Sequence, residues 1–213
     1  MHLFIFLVIP KNLWYYFLYN TEKIFQRKGE IKLKLFEKTL SEDLKFKGRI
    51  ITVHVDDVEL EDGSFSKREV VDHGGGVSVV VLTENNEILL VRQFRYPYKE
   101  VISEIPAGKL EKGEDPFEAM KREQREETGT YSENYIFLGE LYPTPGYCGE
   151  IIRIWATRVS GYCDMDLDED EFIEVDKVPL DKAVEMVLNN EIKASKTQVG
   201  ILKADVLVKK GLL

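Results

Sequence analysis

Seven residues in one short stretch have the types and spacing to do chemistry: Gly108, Glu114, Arg122, Glu123, Glu126, Glu127 and Gly129. Asp115 is suited to cap a helix, Pro116 to begin it and Gly129 to end it, so Pro116 to Thr128 is predicted helical. At about 100° per residue, Glu123, Glu126 and Glu127 fall within roughly a third of the circumference, and Glu123 and Glu127 within about 40°. Like charges so placed destabilise a helix by roughly a few tenths of a kcal/mol per pair. A hard divalent cation with oxygen ligands is the natural occupant, and such an ion neutralises phosphate charge and acidifies bound water. The other reading of the same residues is a solvated acidic face laced by Lys121, Arg122 and Arg125.

The elements that must position this helix are legible around it. Its apolar face is thin, consisting of Phe117, Ala119 and Met120. From Phe46 the chain reads as strands and turns: Arg49 to Leu60 is β-branched and partly alternating, 61–64 supplies a turn, and Phe65 to Val71 returns as a hairpin. Gly74 to Gly76 reads as a linker, because no Lys-Ser or Lys-Thr follows to make a phosphate loop. Val77 to Leu82 and Ile88 to Phe94 then read as a buried hairpin of a core sheet. The glycine-interrupted stretch Pro145 to Gly149 can act as a mobile loop delivering the carboxylate of Glu150. Asp164 to Glu171 reads as a solvated acidic loop with no site, Phe172 to Val178 as a strand, and Pro179 to Leu188 and Ser195 to Lys209 as helices. Helices covering a sheet give an α/β class, an α/β/α sandwich, with a small N-terminal antiparallel β unit. The units are expected at 1–30, 31–74 and 75–213.

The spacing of the seven residues resembles the Nudix box of the Nudix hydrolase superfamily. Five residues separate Gly108 from Glu114, seven separate Glu114 from Arg122-Glu123, two precede Glu126-Glu127, and one precedes Gly129. Gln124 and Thr130 stand where the box prefers aliphatic residues, so altered packing of the helix on the core is expected. The resemblance implies a mixed sheet between helices, with Glu123, Glu126 and Glu127 holding Mg²⁺, or Mn²⁺, against a diphosphate. Arg122 and Glu114 would orient those carboxylates, and within the superfamily the general base is sometimes drawn from the box itself, which makes Glu126 a catalytic candidate.

Residues outside the box resemble the ADP-ribose pyrophosphatase branch from about Leu35 to the C-terminus. They include 66–70, Val91 to Arg95, Glu104 to Gly108, Tyr142 to Tyr147, Glu150 and Asp168 to Phe172, with Pro145 standing 16 residues beyond Gly129. By that resemblance Ala107 offers a backbone carbonyl to a metal ion, Arg95, Glu104 and Gly108 line the substrate pocket, and Glu150 is the general base. Arg68 would reach a neighbouring subunit's site, because the branch dimerises through its N-terminal strands. The implied reaction is hydrolysis of ADP-ribose to AMP and ribose 5-phosphate. Nucleotide sugars and dinucleotide polyphosphates are the alternatives within the class, and a nucleotide-sensing module without catalysis is the alternative outside it.

Composition bounds these readings. The chain has 213 residues, with 29 Lys plus Arg against 38 Asp plus Glu and a net charge of -9, which excludes a general basic surface for nucleic acid. Its two cysteines, Cys148 and Cys163, make neither a zinc site nor a disulfide framework, and a reducing cytoplasm is expected. Residues 3–9 and 13–19 are apolar, but each run is far short of the roughly 20 residues of a spanning helix, no basic stretch precedes them, and no small-residue cleavage site follows. Membrane association is therefore not expected. Residues 1–30 carry four Lys/Arg and two Asp/Glu, hence +2, leaving -11 for the rest. They read as a separable extension, either an added helix or a start placed upstream of the folded chain.

Overall fold

The computed structural model describes residues 35–167 and 171–213. The expected extension 1–30 and part of the acidic stretch, residues 168–170, lie outside the described residues. The N-terminal unit is a three-stranded antiparallel sheet of β1 (Lys38–Lys47), β2 (Ile51–Glu59) and β3 (Phe65–His73), in that order. β2 and β3 form the expected hairpin, with Val55 opposite Glu69 and Asp56 opposite Arg68. Sequence reading began the strands at Phe46 and missed most of β1. Every residue of β1 is exposed, so no alternation of buried and solvated positions marks it, and two irregularities interrupt its register with β2.

The main sheet has seven strands: β4 (Gly76–Leu82), β5 (Glu87–Arg95), β6 (Glu100–Glu104), β7 (Ala107–Lys109), β9 (Tyr135–Leu141), β10 (Ile152–Arg158) and β12 (Glu174–Pro179). The path runs β12-β5-β4-β10-β9, with β6 paired to β5 and β7 to β4. β4 and β10 pair in parallel while the other pairs are antiparallel, so the sheet is mixed. Two short strands, β8 (Thr130–Tyr131) and β11 (Gly161–Tyr162), pair beside it.

The helices α1 (Pro116–Thr128), α2 (Leu180–Leu188) and α3 (Ser195–Lys209) cover the two faces. β4 is buried throughout, and its alternate residues serve opposite cores. Val77, Val79 and Val81 pack with Ala119, Met120 and Trp155 beneath α1. Val80 and Leu82 pack with Ile88, Leu90, Ile105, Ile154, Ile201 and Ala204 beneath α2 and α3. The result is the α/β/α sandwich expected from the sequence.

α1 has the expected ends. Asp115 accepts from the Phe117 and Glu118 amides at 3.0 and 3.1 Å, and Gly129 takes φ 59 in the left-handed region while donating to the Arg125 carbonyl at 2.9 Å. Its buried face is less apolar than expected. Gln124 is fully buried, donates through Nε2 to Thr130 Oγ1 at 3.1 Å and Ser132 Oγ at 2.9 Å, and accepts from the Tyr135 hydroxyl at 2.9 Å. Thr128 Oγ1 donates to the Gln124 carbonyl and lies 2.7 Å from Thr130 Oγ1, whose own proton completes that pair. The two departures from the aliphatic pattern thus bond to each other and form a satisfied polar seam. Because a half-satisfied seam strands buried groups, Gln124→Leu is expected to cost about 1–3 kcal/mol in urea unfolding. Adding Thr130→Val should cost less than the sum of the two single changes.

Candidate active site

The acidic end of α1 docks on β7. Glu123 and Glu127 are only 8% and 3% exposed. Glu127 Oε2 accepts from the Ala107 amide at 2.8 Å, and a Cβ built on Gly108 would overlap the Glu123 carboxylate. A side chain at position 108 would therefore displace the Glu123 carboxylate from β7. Arg122 Nη1 donates to Glu123 Oε1 and Glu126 Oε2, each at 2.8 Å, while its Nε donates to Glu114 Oε1 at 3.1 Å. Glu114 is itself set by the Glu111 amide at 3.0 Å.

The three box carboxylates, expected to crowd one patch, take different partners. Among the described residues no group of three or more His, Cys, Asp or Glu side chains is arranged to hold a metal ion. The physical reason is that Glu123 and Glu126 share the Arg122 guanidinium, whereas Glu127 turns to Ala107. The donor chemistry nevertheless fits a hard divalent cation. Burial pushes the Glu127 carboxyl up to about 8 and Glu123 up to about 7, each further raised by neighbouring carboxylates. Two adjacent oxygen donors are thus held where their negative charge lacks full compensation.

A second charged group lies beyond Glu127. Glu104, at the end of β6, is 3% exposed and accepts from Arg95 Nε at 3.1 Å, from Arg95 Nη2 at 2.5 Å and from Lys196 Nζ at 2.5 Å. Burial opposes its ionisation, but Arg95 and Lys196 hold its carboxyl below the usual range. Sequence reasoning placed Arg95 and Glu104 together and missed Lys196. The signal was available: Lys196 occupies the first turn of α3, which has no acidic residue there, although cations are disfavoured at a helix N-terminus.

Glu150 sits just before β10, with Oε1 3.6 Å from His73 Nδ1 and near the place a Cβ would occupy on Gly76. The stretch before it, expected as a mobile loop, is tied to β3: the Val71 amide donates to the Tyr147 carbonyl at 2.8 Å, and the Gly149 amide to the Val71 carbonyl at 2.9 Å. Pro145 lies in the turn leading to this tether. Glu171, given no role from sequence, exerts its charge on Arg95, Glu123 and Glu127. Arg68 stands apart on β3, bound bidentately to Glu37 at 2.6 and 2.7 Å. An open groove of about 560 Å³ borders Arg122 and Glu126 on the outer side of α1, and Glu123 and Glu127 do not line it.

Fold and site define an α/β/α protein presenting helix-borne carboxylates against β7 beside a half-buried Arg-Glu-Lys cluster. The NUDIX domain matches residues 72–198, and the nucleoside diphosphate sugar hydrolase N-terminal domain matches residues 37–71. ADP-ribose pyrophosphatase of Bacillus subtilis (strain 168) is 41% identical over 169 residues, covering 78% of this chain and 91% of the relative. The methanol dehydrogenase activator of Bacillus methanolicus is 42% identical over 171 residues, covering 79% and 92%. A crystal structure of an ADP compounds hydrolase superposes with a TM-score of 0.73 at 19% identity, covering 86% of this chain and 100% of that one, and shares the fold. The chain belongs to the Nudix family.

The raised carboxyls give a pH dependence. Folded, Glu123 and Glu127 keep protons that the unfolded chain releases above about 4.5, so their contribution to stability is full below that value and is lost as pH rises to about 8. In EDTA the thermal midpoint should therefore fall between about pH 5 and pH 8. Millimolar Mg²⁺ at pH 8 should raise it again, and a Glu123→Gln/Glu127→Gln chain should show neither response.

Proposed function

We propose that this protein hydrolyses the diphosphate of ADP-ribose, with Mg²⁺ or Mn²⁺, to AMP and ribose 5-phosphate. The observation that carries the reading is the pair Glu123 and Glu127, buried side by side against Ala107 and Gly108 in a Nudix chain. The similarity to a protein named ADP-ribose pyrophosphatase supports the choice of substrate.

Glu123, Glu126 and Glu127, with the Ala107 carbonyl, would hold the cation, which when bound neutralises diphosphate charge and acidifies water. The chain's own residues do the rest. Arg122, fixed by Glu114, sets the separation of Glu123 from Glu126. Arg95, fixed by Glu104, presents a planar cation to substrate phosphate. A carboxylate takes the proton of the attacking water as its oxygen bonds to one phosphorus, the bond from that phosphorus to the bridging oxygen breaks, and the bridging oxygen leaves with the other phosphate and takes up a proton. Glu150 is the base favoured by the sequence pattern. Glu171 is a second reading, favoured by the reach of its charge to both Glu123 and Glu127.

The exposed apolar residues of β1, Leu40, Leu44 and Phe46, support a homodimer formed through the N-terminal sheet, with Arg68 near its seam. Among the described residues no helix is long and apolar enough to cross a membrane. The two free cysteines support a cytoplasmic location.

The reading is tested with ADP-ribose, nucleotide sugars and diadenosine polyphosphates in Mg²⁺, resolving products by chromatography. Conversion of ADP-ribose to AMP and ribose 5-phosphate in preference to the others is the expected result. Dominance of another diphosphate would contradict the substrate, and tight binding without cleavage would contradict the enzyme. Glu127→Gln should lower kcat by at least about 100-fold while keeping the bond to Ala107 and full stability. Of Glu150→Gln and Glu171→Gln, the one that removes the base should lower kcat by about 10²–10⁴-fold and abolish the acidic limb of the pH profile.

A further inference from the structure

The cluster around Glu104 holds one carboxylate and two cations. Arg95 and Lys196 both donate to Glu104 Oε2, and Arg95 Nε donates to Oε1. One cation is enough to neutralise the carboxylate, so these three groups by themselves carry a net +1 in a half-buried corner, facing the charges of Glu127 and Glu171. Neither cation is an ordinary surface charge: the Lys196 side chain is 13% exposed and that of Arg95 is 35% exposed. Burying the second cation costs desolvation that a merely structural ion pair would not require. Its backbone setting adds to that cost, because Lys196 lies in the positive first turn of α3.

Position within the fold gives the surplus charge a direction. α3 is tied to the end of β6 by Thr197, whose Oγ1 accepts from the Ile105 amide at 3.0 Å, so the backbone of Lys196 is fixed beside Glu104. The same short segment runs from Glu104 through Ile105 to Ala107, whose amide binds Glu127. Lys196 is bonded to Glu104 and is close enough for its charge to act on Glu127, as Arg95 also is. Arg95 is bound by its Nε–Nη2 edge, which fixes the plane of the guanidinium.

We propose that Lys196 is a positioning residue for the substrate's diphosphate: it clamps Glu104 so that Arg95 is held in one plane toward a phosphate oxygen, and it supplies the surplus positive charge that draws the anion. This rests on the diphosphate reading above. Removing the ammonium leaves Arg95 and Glu104 paired at net zero, so the fold keeps a satisfied ion pair while the corner loses its attraction for anions. Lys196→Arg keeps the charge and a donor for Glu104.

The test measures binding without turnover. Titration calorimetry in EDTA gives Kd for ADP-ribose and for inorganic pyrophosphate with the wild type, Lys196→Met and Lys196→Arg, and steady-state kinetics in Mg²⁺ give kcat and KM. Lys196→Met is expected to weaken both ligands by about tenfold and to raise KM by a similar factor, with kcat within about threefold. Lys196→Arg should recover most of the loss. A Lys196→Met chain that loses thermal stability yet binds both anions as the wild type does would overturn the proposal, as would a fall in kcat at unchanged KM or a failure of arginine to rescue. Wild-type protein that binds pyrophosphate but neither binds nor cleaves ADP-ribose would contradict the substrate reading instead, and Lys196 would then be judged on pyrophosphate alone.

Discussion

The site depends on one unfavourable contact that the fold enforces: two glutamates of α1, Glu123 and Glu127, pressed against the backbone of Ala107 and Gly108. Isolated carboxylates avoid such places, because burial penalises their charged form. Here the caps of α1 and the packing of Ala119 and Met120 set the helix on the sheet, and the absence of a side chain at Gly108 leaves room for the Glu123 carboxylate. Arg122 relieves part of the repulsion by bridging Glu123 to Glu126, and Ala107 relieves part at Glu127. What remains is a demand for positive charge at one spot on the surface.

The surroundings keep that contact rigid by different means on its two sides. Beneath the helix a buried polar seam of Gln124, Thr128, Thr130, Ser132 and Tyr135 replaces part of an apolar stripe, and directional bonds fix the helix rotation more sharply than hydrophobic contact alone. Rotation about the helix axis decides whether Glu123 or a neighbour meets Gly108. Beyond the box, the chain that follows β6 connects Glu104 to Ala107, so the cationic cluster and the carboxylates are placed relative to each other by a few bonded residues. α3 locks the same point from the other layer through Thr197 and Lys196.

Much of this was legible in the sequence because it is local. The ends of α1 follow from Asp115, Pro116 and Gly129, and the box carboxylates follow from spacing along one helix. The alternating burial of β4 on both faces was visible as the unbroken run from Val77 to Leu82. What failed to show was non-local. β1 is exposed throughout and has no periodic mark. The bonding of Gln124 to Thr130, Ser132 and Tyr135 requires the chain to turn back after the helix. Lys196, some 92 residues from Glu104, could be flagged only as a cation in an unfavourable helical position. The tether of 147–149 to Val71 joins the two sheets and has no trace in either segment alone.

The proposed cation would complete the charge balance that burial denies Glu123 and Glu127. The most direct measurement is proton release on Mg²⁺ binding, obtained by titration calorimetry at about pH 6.5 in two buffers of different ionisation enthalpy. With carboxyls near 7 and 8, both are largely protonated at that pH, so binding should expel about one to two protons per chain and the heats should differ between buffers accordingly. Equal heats in the two buffers, with Mg²⁺ bound, would mean that these carboxylates are already ionised and would contradict the account.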